Sequence, residues 1–170
     1  MADYYDKIKD SRGLLGKIAS VIPGFSGYMN RETRRDADKM MRETIANRYS
    51  EQLARISQLQ VQLVSSGGID WVDDVQDAYT RLQRFIDMVR TAAYGYSGLF
   101  AAVNVNEDAL AKLYQFDLAL LENVSKVAAA VDNVEASVGG DGMAAAVRHL
   151  SSVMVEANTT FERRKEVLMN

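Results

Sequence analysis

Apolar residues recur at alternating spacings of three and four along most of the chain, the pattern of amphipathic helices. The pattern is regular enough in three stretches to form the apolar seam of a helical bundle. Near the N-terminus it is weakened by Gly13 and Gly16, since glycine disfavours a helix. The periodicity predicts five helices: 2–22, 30–65, 71–93, 107–138 and 143–168.

Turn residues separate these segments. Pro23-Gly24 ends the first, a Ser-Ser-Gly-Gly run ends the second, and Gly139-Gly140-Asp141-Gly142 ends the fourth. Asn30, Asp70 and Asn106 are suited to be N-caps of the following helices. Short turns imply antiparallel neighbours. We therefore predict a single all-α domain, in which 30–168 form an antiparallel four-helix bundle and 2–22 form a peripheral amphipathic helix.

The connection after the third helix is exceptional, because residues 91–106 carry no charge. In an antiparallel bundle its Gly-Tyr-Ser-Gly corner falls at the same end as the Gly-Phe-Ser-Gly corner of 24–27. We name this end the aromatic pole. Its aromatic side chains either pack on each other and close the core or dock a protein partner, in which case several rings should be exposed. The partner-binding candidates are Phe25, Tyr28, Tyr94, Tyr96 and Phe100.

One acidic and one basic residue interrupt the two most regular apolar seams. Asp117 and Arg164 lie at nearly equal distances from Gly140, on either side of the turn, so antiparallel helices place them at one level. We predict a buried ion pair between them. It either fixes the register of the helices or forms the charged floor of a ligand pocket.

A basic segment begins the second helix. A solvated helix face is one interpretation, because Glu32, Asp36 and Asp38 lie close by in sequence and can neutralise the bases. The alternative is contact with an anionic membrane surface, together with the amphipathic helix 2–22. The bases are Arg31, Arg34, Arg35, Lys39 and Arg42.

The amino-acid composition narrows the kinds of ligand site and activity that the chain can have. The 170 residues have a net charge of −3, which does not favour nucleic acid, and they include no cysteine and one histidine, His149. Without cysteine, or a Glu-x-x-His pair on each of two helices, no metal site is predicted, and no phosphate-binding or dinucleotide motif occurs. We therefore expect no cofactor, no metal, no nucleic acid and no enzymatic activity. The acidic N-terminus is unlike a secretory signal, so a cytoplasmic protein is expected.

Four stretches together resemble uncharacterised helical bacterial proteins. This resemblance covers about a third of the chain and implies a bacterial source but no activity. A short amphipathic helix before a long charged one also resembles phage-shock-type membrane proteins, although the compact glycine turns differ from their extended hairpin. The stretches are 22–28, 31–39, 94–100 and 113–118.

These observations predict a non-enzymatic helical interaction or scaffold protein that acts through the aromatic pole. Its partner is expected to be a protein or a second copy of the chain. Two alternatives stay open: a peripheral protein of the membrane surface, and a bundle that binds a small ligand near Asp117.

Overall fold

The computed structural model describes residues 2–92 and 98–170, and their regular structure is entirely helical. No strand occurs in these two ranges, so the predicted all-α class is confirmed. One short 3-10 turn lies at Ile69–Trp71, and another lies at Gly98–Phe100, where the second described range begins. The α-helices are α1 (Ala2–Val21), α2 (Arg34–Ser65), α3 (Val72–Thr91), α4 (Glu107–Ser137) and α5 (Met143–Met169).

Two helices begin later than predicted. The Asn30 side chain accepts a hydrogen bond from the Glu32 backbone N–H at 3.0 Å, which makes a local turn instead of a helix cap, and α2 begins only at Arg34. Asp70 similarly lies inside the 3-10 turn that leads into α3. Asn106 is confirmed as an N-cap, because its side chain accepts from the Asp108 backbone N–H at 2.9 Å.

The four long helices form two hairpins. In α4 and α5, Lys126 is bonded to Glu156 and Asp117 to Arg164, so residue numbers rise along one helix as they fall along the other. Helices α2 and α3 are antiparallel in the same way. The hairpins pack with α2 beside α4 and α3 beside α5, and α2 runs parallel to α4.

Helix α1 packs on α4, outside the two hairpins. Ile18 and Ile22 are buried, and Leu14, Leu15 and Val21 are partly buried against the same core. The apolar face of the described part of α1 is therefore turned towards the protein.

Candidate functional site

The aromatic rings of the pole close the core. Tyr28 stacks on Tyr114 with ring centroids 5.4 Å apart, and the rings of Phe25 and Phe100 lie 5.5 and 5.6 Å from that of Tyr28. Gly27, at φ +79°, brings its backbone against the Tyr114 hydroxyl; a Cβ there would lie 2.5 Å from that oxygen. This close approach lets the Tyr28 N–H donate to the same hydroxyl at 3.0 Å.

The expected exposure of these rings is wrong for the three that the structure describes. Phe25, Tyr28 and Phe100 are 5%, 0% and 4% exposed, because they pack on one another and on Tyr114. They are core residues and present no ring surface to a partner. Tyr94 and Tyr96 lie outside the described residues.

The predicted ion pair is confirmed. The Arg164 Nε donates to Asp117 Oδ1 at 2.5 Å, and both side chains are fully buried. The Tyr28 hydroxyl donates to the other Asp117 oxygen at 2.6 Å. Asp117 thus joins α4 both to α5 and to the loop that carries Tyr28.

The ion pair belongs to a larger buried network. The Arg164 Nη2 also donates to Asp38 Oδ1 at 2.7 Å, and the Arg42 Nε donates to Asp38 Oδ2 at 2.9 Å. Arg42 Nη1 in turn donates to the Val89 and Arg90 carbonyls in the last turn of α3, which lack partners within their own helix. The two carboxylates and two guanidiniums balance in charge, and the network connects all four long helices.

Burial shapes the protonation of this network. It raises the pKa of Asp117, which disfavours the carboxylate, whereas the ion pair and hydrogen bond with Arg164 favour it. Burial also acts to lower the pKa of Arg164, but the charges of Asp117 and Asp38 raise that pKa well above its ordinary value. Because Asp117 accepts from both Arg164 and Tyr28, the ionised pair is the form in which both carboxylate oxygens accept a hydrogen bond. Burial and the Asp117 charge raise the pKa of Tyr28, which keeps its hydroxyl a donor.

Arg34 and Arg42 are wrong as candidates for an anionic surface, because both are buried and bonded within the protein. Arg34 Nε donates to the Tyr28 carbonyl at 2.6 Å, and its Nη1 donates to the carbonyls of Leu99 and Ala102 at 3.2 and 2.7 Å. It therefore fastens the two loops of the pole together. Burial lowers the pKa of Arg34.

The other three bases of this segment are exposed, as a surface role requires. Acidic residues are interleaved with Arg31, Arg35 and Lys39, and Lys39 lies 3.9 Å from Glu43. The remaining patch is small and nearly neutral.

A second set of buried hydrogen bonds lies further along the bundle, and the sequence analysis did not predict it. The Tyr49 hydroxyl donates to the Leu120 carbonyl at 3.1 Å, and the Asn123 side chain donates to the Val153 carbonyl at 3.3 Å. It links α2, α4 and α5. Burial raises the pKa of Tyr49.

An open groove of about 830 Å³ lies at the pole, between the loop 99–106, the first turns of α4 and the last turns of α5. We name it the pole groove. Phe116 and Arg163 line it and directly precede the paired Asp117 and Arg164, which do not line it. The paired charges are therefore behind the groove wall and do not form a pocket floor. Its apolar lining is Leu99, Ala102, Ala109, Phe116 and Val167; its polar lining is Asn104, Asn106, Asp108, Lys112, Arg163, Glu166 and Asn170.

The described residues contain no group of three or more histidine and carboxylate side chains that could hold a metal ion. His149 is exposed on α5. Among the described helices, none combines the length and the apolar character needed to cross a bilayer.

Compared with known proteins, the chain matches no family model, and neither a curated protein nor a solved structure shows significant similarity to it.

Proposed function

We propose that this is a non-enzymatic helical interaction protein, a scaffold that binds a segment of a partner protein in the pole groove. The groove is the observation that carries the proposal. Its 830 Å³ are bounded by three separate parts of the chain, and both apolar and polar side chains line it. Protein-binding surfaces commonly combine an apolar centre with a polar rim.

The proposal moves the contact surface away from the aromatic rings. The rings and Arg34 hold the loop 99–102 in place, and that loop forms one wall of the groove. Two exposed apolar side chains that neighbour lining residues in the chain, and that we take as the groove rim, add to the surface available for a partner. Val103, between Ala102 and Asn104, is 73% exposed, and Met169, before Asn170, is 60% exposed. The bacterial and cytoplasmic setting expected from the sequence is part of the same proposal.

A small-ligand-binding bundle is the second candidate. The groove volume lies in the range of about 300–1,000 Å³ that is typical of ligand sites. Its open shape and its mixed polar and apolar lining suit a peptide segment better, since ligand sites bury most of the ligand and are mainly apolar.

Site-specific photo-crosslinking tests the proposal. A photoreactive side chain replaces Val103 or Met169 at the groove rim, and a matched control replaces Ile69, an exposed apolar residue at the opposite end of the bundle. In native cells, the two rim positions should capture a common protein that the control does not. Capture of a second copy of the chain would identify a homo-oligomer as the partner. Equal capture at all three positions, or none at the rim, would contradict the proposal.

A further inference from the structure

We propose that the end of the bundle opposite the pole groove docks a protein segment that carries basic side chains beside apolar ones. This end is formed by residues 61–74, where α2 turns into α3, and we name it the acidic tip. It is a second contact surface and does not depend on the groove. Its partner is distinct from that of the groove, so the chain would connect two proteins from its two ends.

Exposed aliphatic side chains form the apolar part of the acidic tip. Val61 and Val64 lie one turn apart on the outer face of α2, whereas Leu59 and Leu63 of the same helix are buried. Together with Ile69, in the turn that follows, the two valines are between 61% and 70% exposed. Single exposed apolar residues are normal, but three within nine residues, with polar neighbours, are typical of a contact surface.

The apolar and acidic side chains of the tip lie next to each other. The Gln60 side chain donates to Gln76 Oε1 at 2.7 Å, which fixes the level of α2 against α3. Val64 follows Gln60 by one helical turn, and Asp73 precedes Gln76 by about one turn. Because the two helices are antiparallel, Val64 and Asp73 lie side by side. A basic side chain and an apolar one from a single short segment can therefore reach both.

The hairpin at the tip is acidic without compensation. Residues 56–80 contain four aspartates and no lysine or arginine. Asp77 is the one with an ion-pair partner, Arg81, in the part of the chain that the structure describes. The remaining aspartates are exposed, so their charges are available to a partner: Asp70, Asp73 and Asp74.

Neighbouring elements do not balance these charges. The turn between α4 and α5 lies at the same end and adds Asp141, and the first base after it is Arg148. Arg55 of α2 is already bonded to Asp132 and Glu135. Two helices end at the tip and two begin there, so their dipoles largely cancel. The three exposed aspartates of the hairpin and Asp141 outnumber Arg148, and an incoming lysine or arginine is therefore favoured over a carboxylate or phosphate.

Selection from a phage library of random dodecapeptides on the intact protein tests the proposal. Peptides that the double variant Val61→Ala/Val64→Ala binds about tenfold more weakly are assigned to the tip, since this variant removes apolar area and favours the helix. These peptides should carry Lys or Arg next to Leu, Ile or Phe. In fluorescence anisotropy, Asp73→Asn should weaken their binding about twofold to fivefold, as expected for an exposed ion pair. The matched controls Asp36→Asn, in the first turn of α2 at the other end, and Val155→Ala, on α5, should leave binding unchanged.

Three outcomes would overturn the proposal. The first is that no enriched peptide depends on the two valines. The second is that tip-dependent peptides lack Lys and Arg, or bind Asp73→Asn as well as the unaltered chain. The third is self-association in analytical ultracentrifugation that Val61→Ala/Val64→Ala abolishes, which would make a second copy of the chain the occupant. None of these results bears on the groove, because no substituted residue lines it.

Discussion

Among side chains of its size, Asp117 is the one whose removal should lower the free energy of unfolding most. Asp117→Ala leaves the buried Arg164 with Asp38 as its remaining carboxylate and the Tyr28 hydroxyl without its acceptor. Breaking a buried pair typically costs about 3–5 kcal/mol, and we expect the lower end because Asp38 remains. Urea unfolding measures the loss. Asp117→Asn, which keeps an acceptor oxygen but not the charge, should cost less; equal losses would show that the retained acceptor oxygen contributes little.

Replacing both partners at once tests whether the pair is structural. Asp117→Leu with Arg164→Met removes both charges and fills similar volume, so it should recover part of the loss seen for Asp117→Ala. Recovery should be incomplete, since Asp38 would then keep only Arg42 as its guanidinium partner within the network and the Tyr28 hydroxyl would still lack its acceptor. A double variant less stable than Asp117→Ala would show that the network cannot be replaced by apolar packing.

The buried tyrosines should make the stability of the protein depend on pH in the alkaline range. Burial raises the pKa values of Tyr28, Tyr49 and Tyr114 above the ordinary value of 10.0. Above about pH 10 the unfolded chain therefore loses protons that the folded chain retains, so the free energy of unfolding should fall as the pH rises. Below pH 10 the contribution is fully present. Ultraviolet titration of phenolate should show these three ionising only as the protein unfolds, and Tyr49→Phe should remove one late-titrating group.

At the scale of the helix, α1 carries an avoidable weakness. Gly13 and Gly16 lie inside it, and a Cβ added at either position would meet no atom within 4 Å. Gly13→Ala and Gly16→Ala should each stabilise α1 by up to about 1 kcal/mol, because alanine favours a helix more than glycine does. Hydrogen exchange of α1 amides measures the change. Gly27→Ala is the contrasting variant: its left-handed backbone and the nearby Tyr114 hydroxyl should make it destabilising.

The helices and their pairing were predictable because they depend on the spacing of apolar residues and on the number of residues between each position and the turn. The apolar seams predicted the five helical segments, and nearly equal distances from Gly140 placed Asp117 opposite Arg164. The start of α2 was not predictable, because Asn30 can bond its own neighbouring backbone as readily as cap a helix. Boundaries of this kind depend on competition between local hydrogen bonds.

The site was less predictable than the fold because it depends on side chains from distant segments. Arg34 and Arg42 look like surface bases in sequence, yet their acceptors are loop and α3 carbonyls far along the chain. One signal was available: Asp38 falls within the apolar stripe of α2, between Ala37 and Met41, where a solvated carboxylate is not expected. No periodicity indicates the pole groove, because a loop and two helix ends form it only after folding.

Considered as a whole, the molecule ties its helices together near one end and leaves the groove open beside that tie. The charge network joins α2, α3, α4 and α5, while Arg34 joins the loops that carry Tyr28 and Leu99. A rigid support beside an open surface is the arrangement expected of a preformed binding site. The partner that we propose for the groove would therefore not have to reorganise the bundle on binding.

The last prediction concerns the membrane alternative, which requires the whole molecule to expose an apolar and basic surface. The described apolar face of α1 packs on α4. Two bases of the basic segment, Arg34 and Arg42, are buried and so do not contribute to a basic surface. We therefore expect the intact chain to remain in the supernatant with phosphatidylglycerol vesicles at about 0.15 M ionic strength, where exposed charges are largely screened. Leu118→Gln provides the comparison, because Leu118 and Val21 line the same small pocket where α4 packs on α1, and loosening that contact should increase co-sedimentation. Co-sedimentation of the unaltered chain that decreases when Arg31, Arg35 and Lys39 become Gln would instead assign the protein to the membrane surface, since those exposed bases would then supply the attraction.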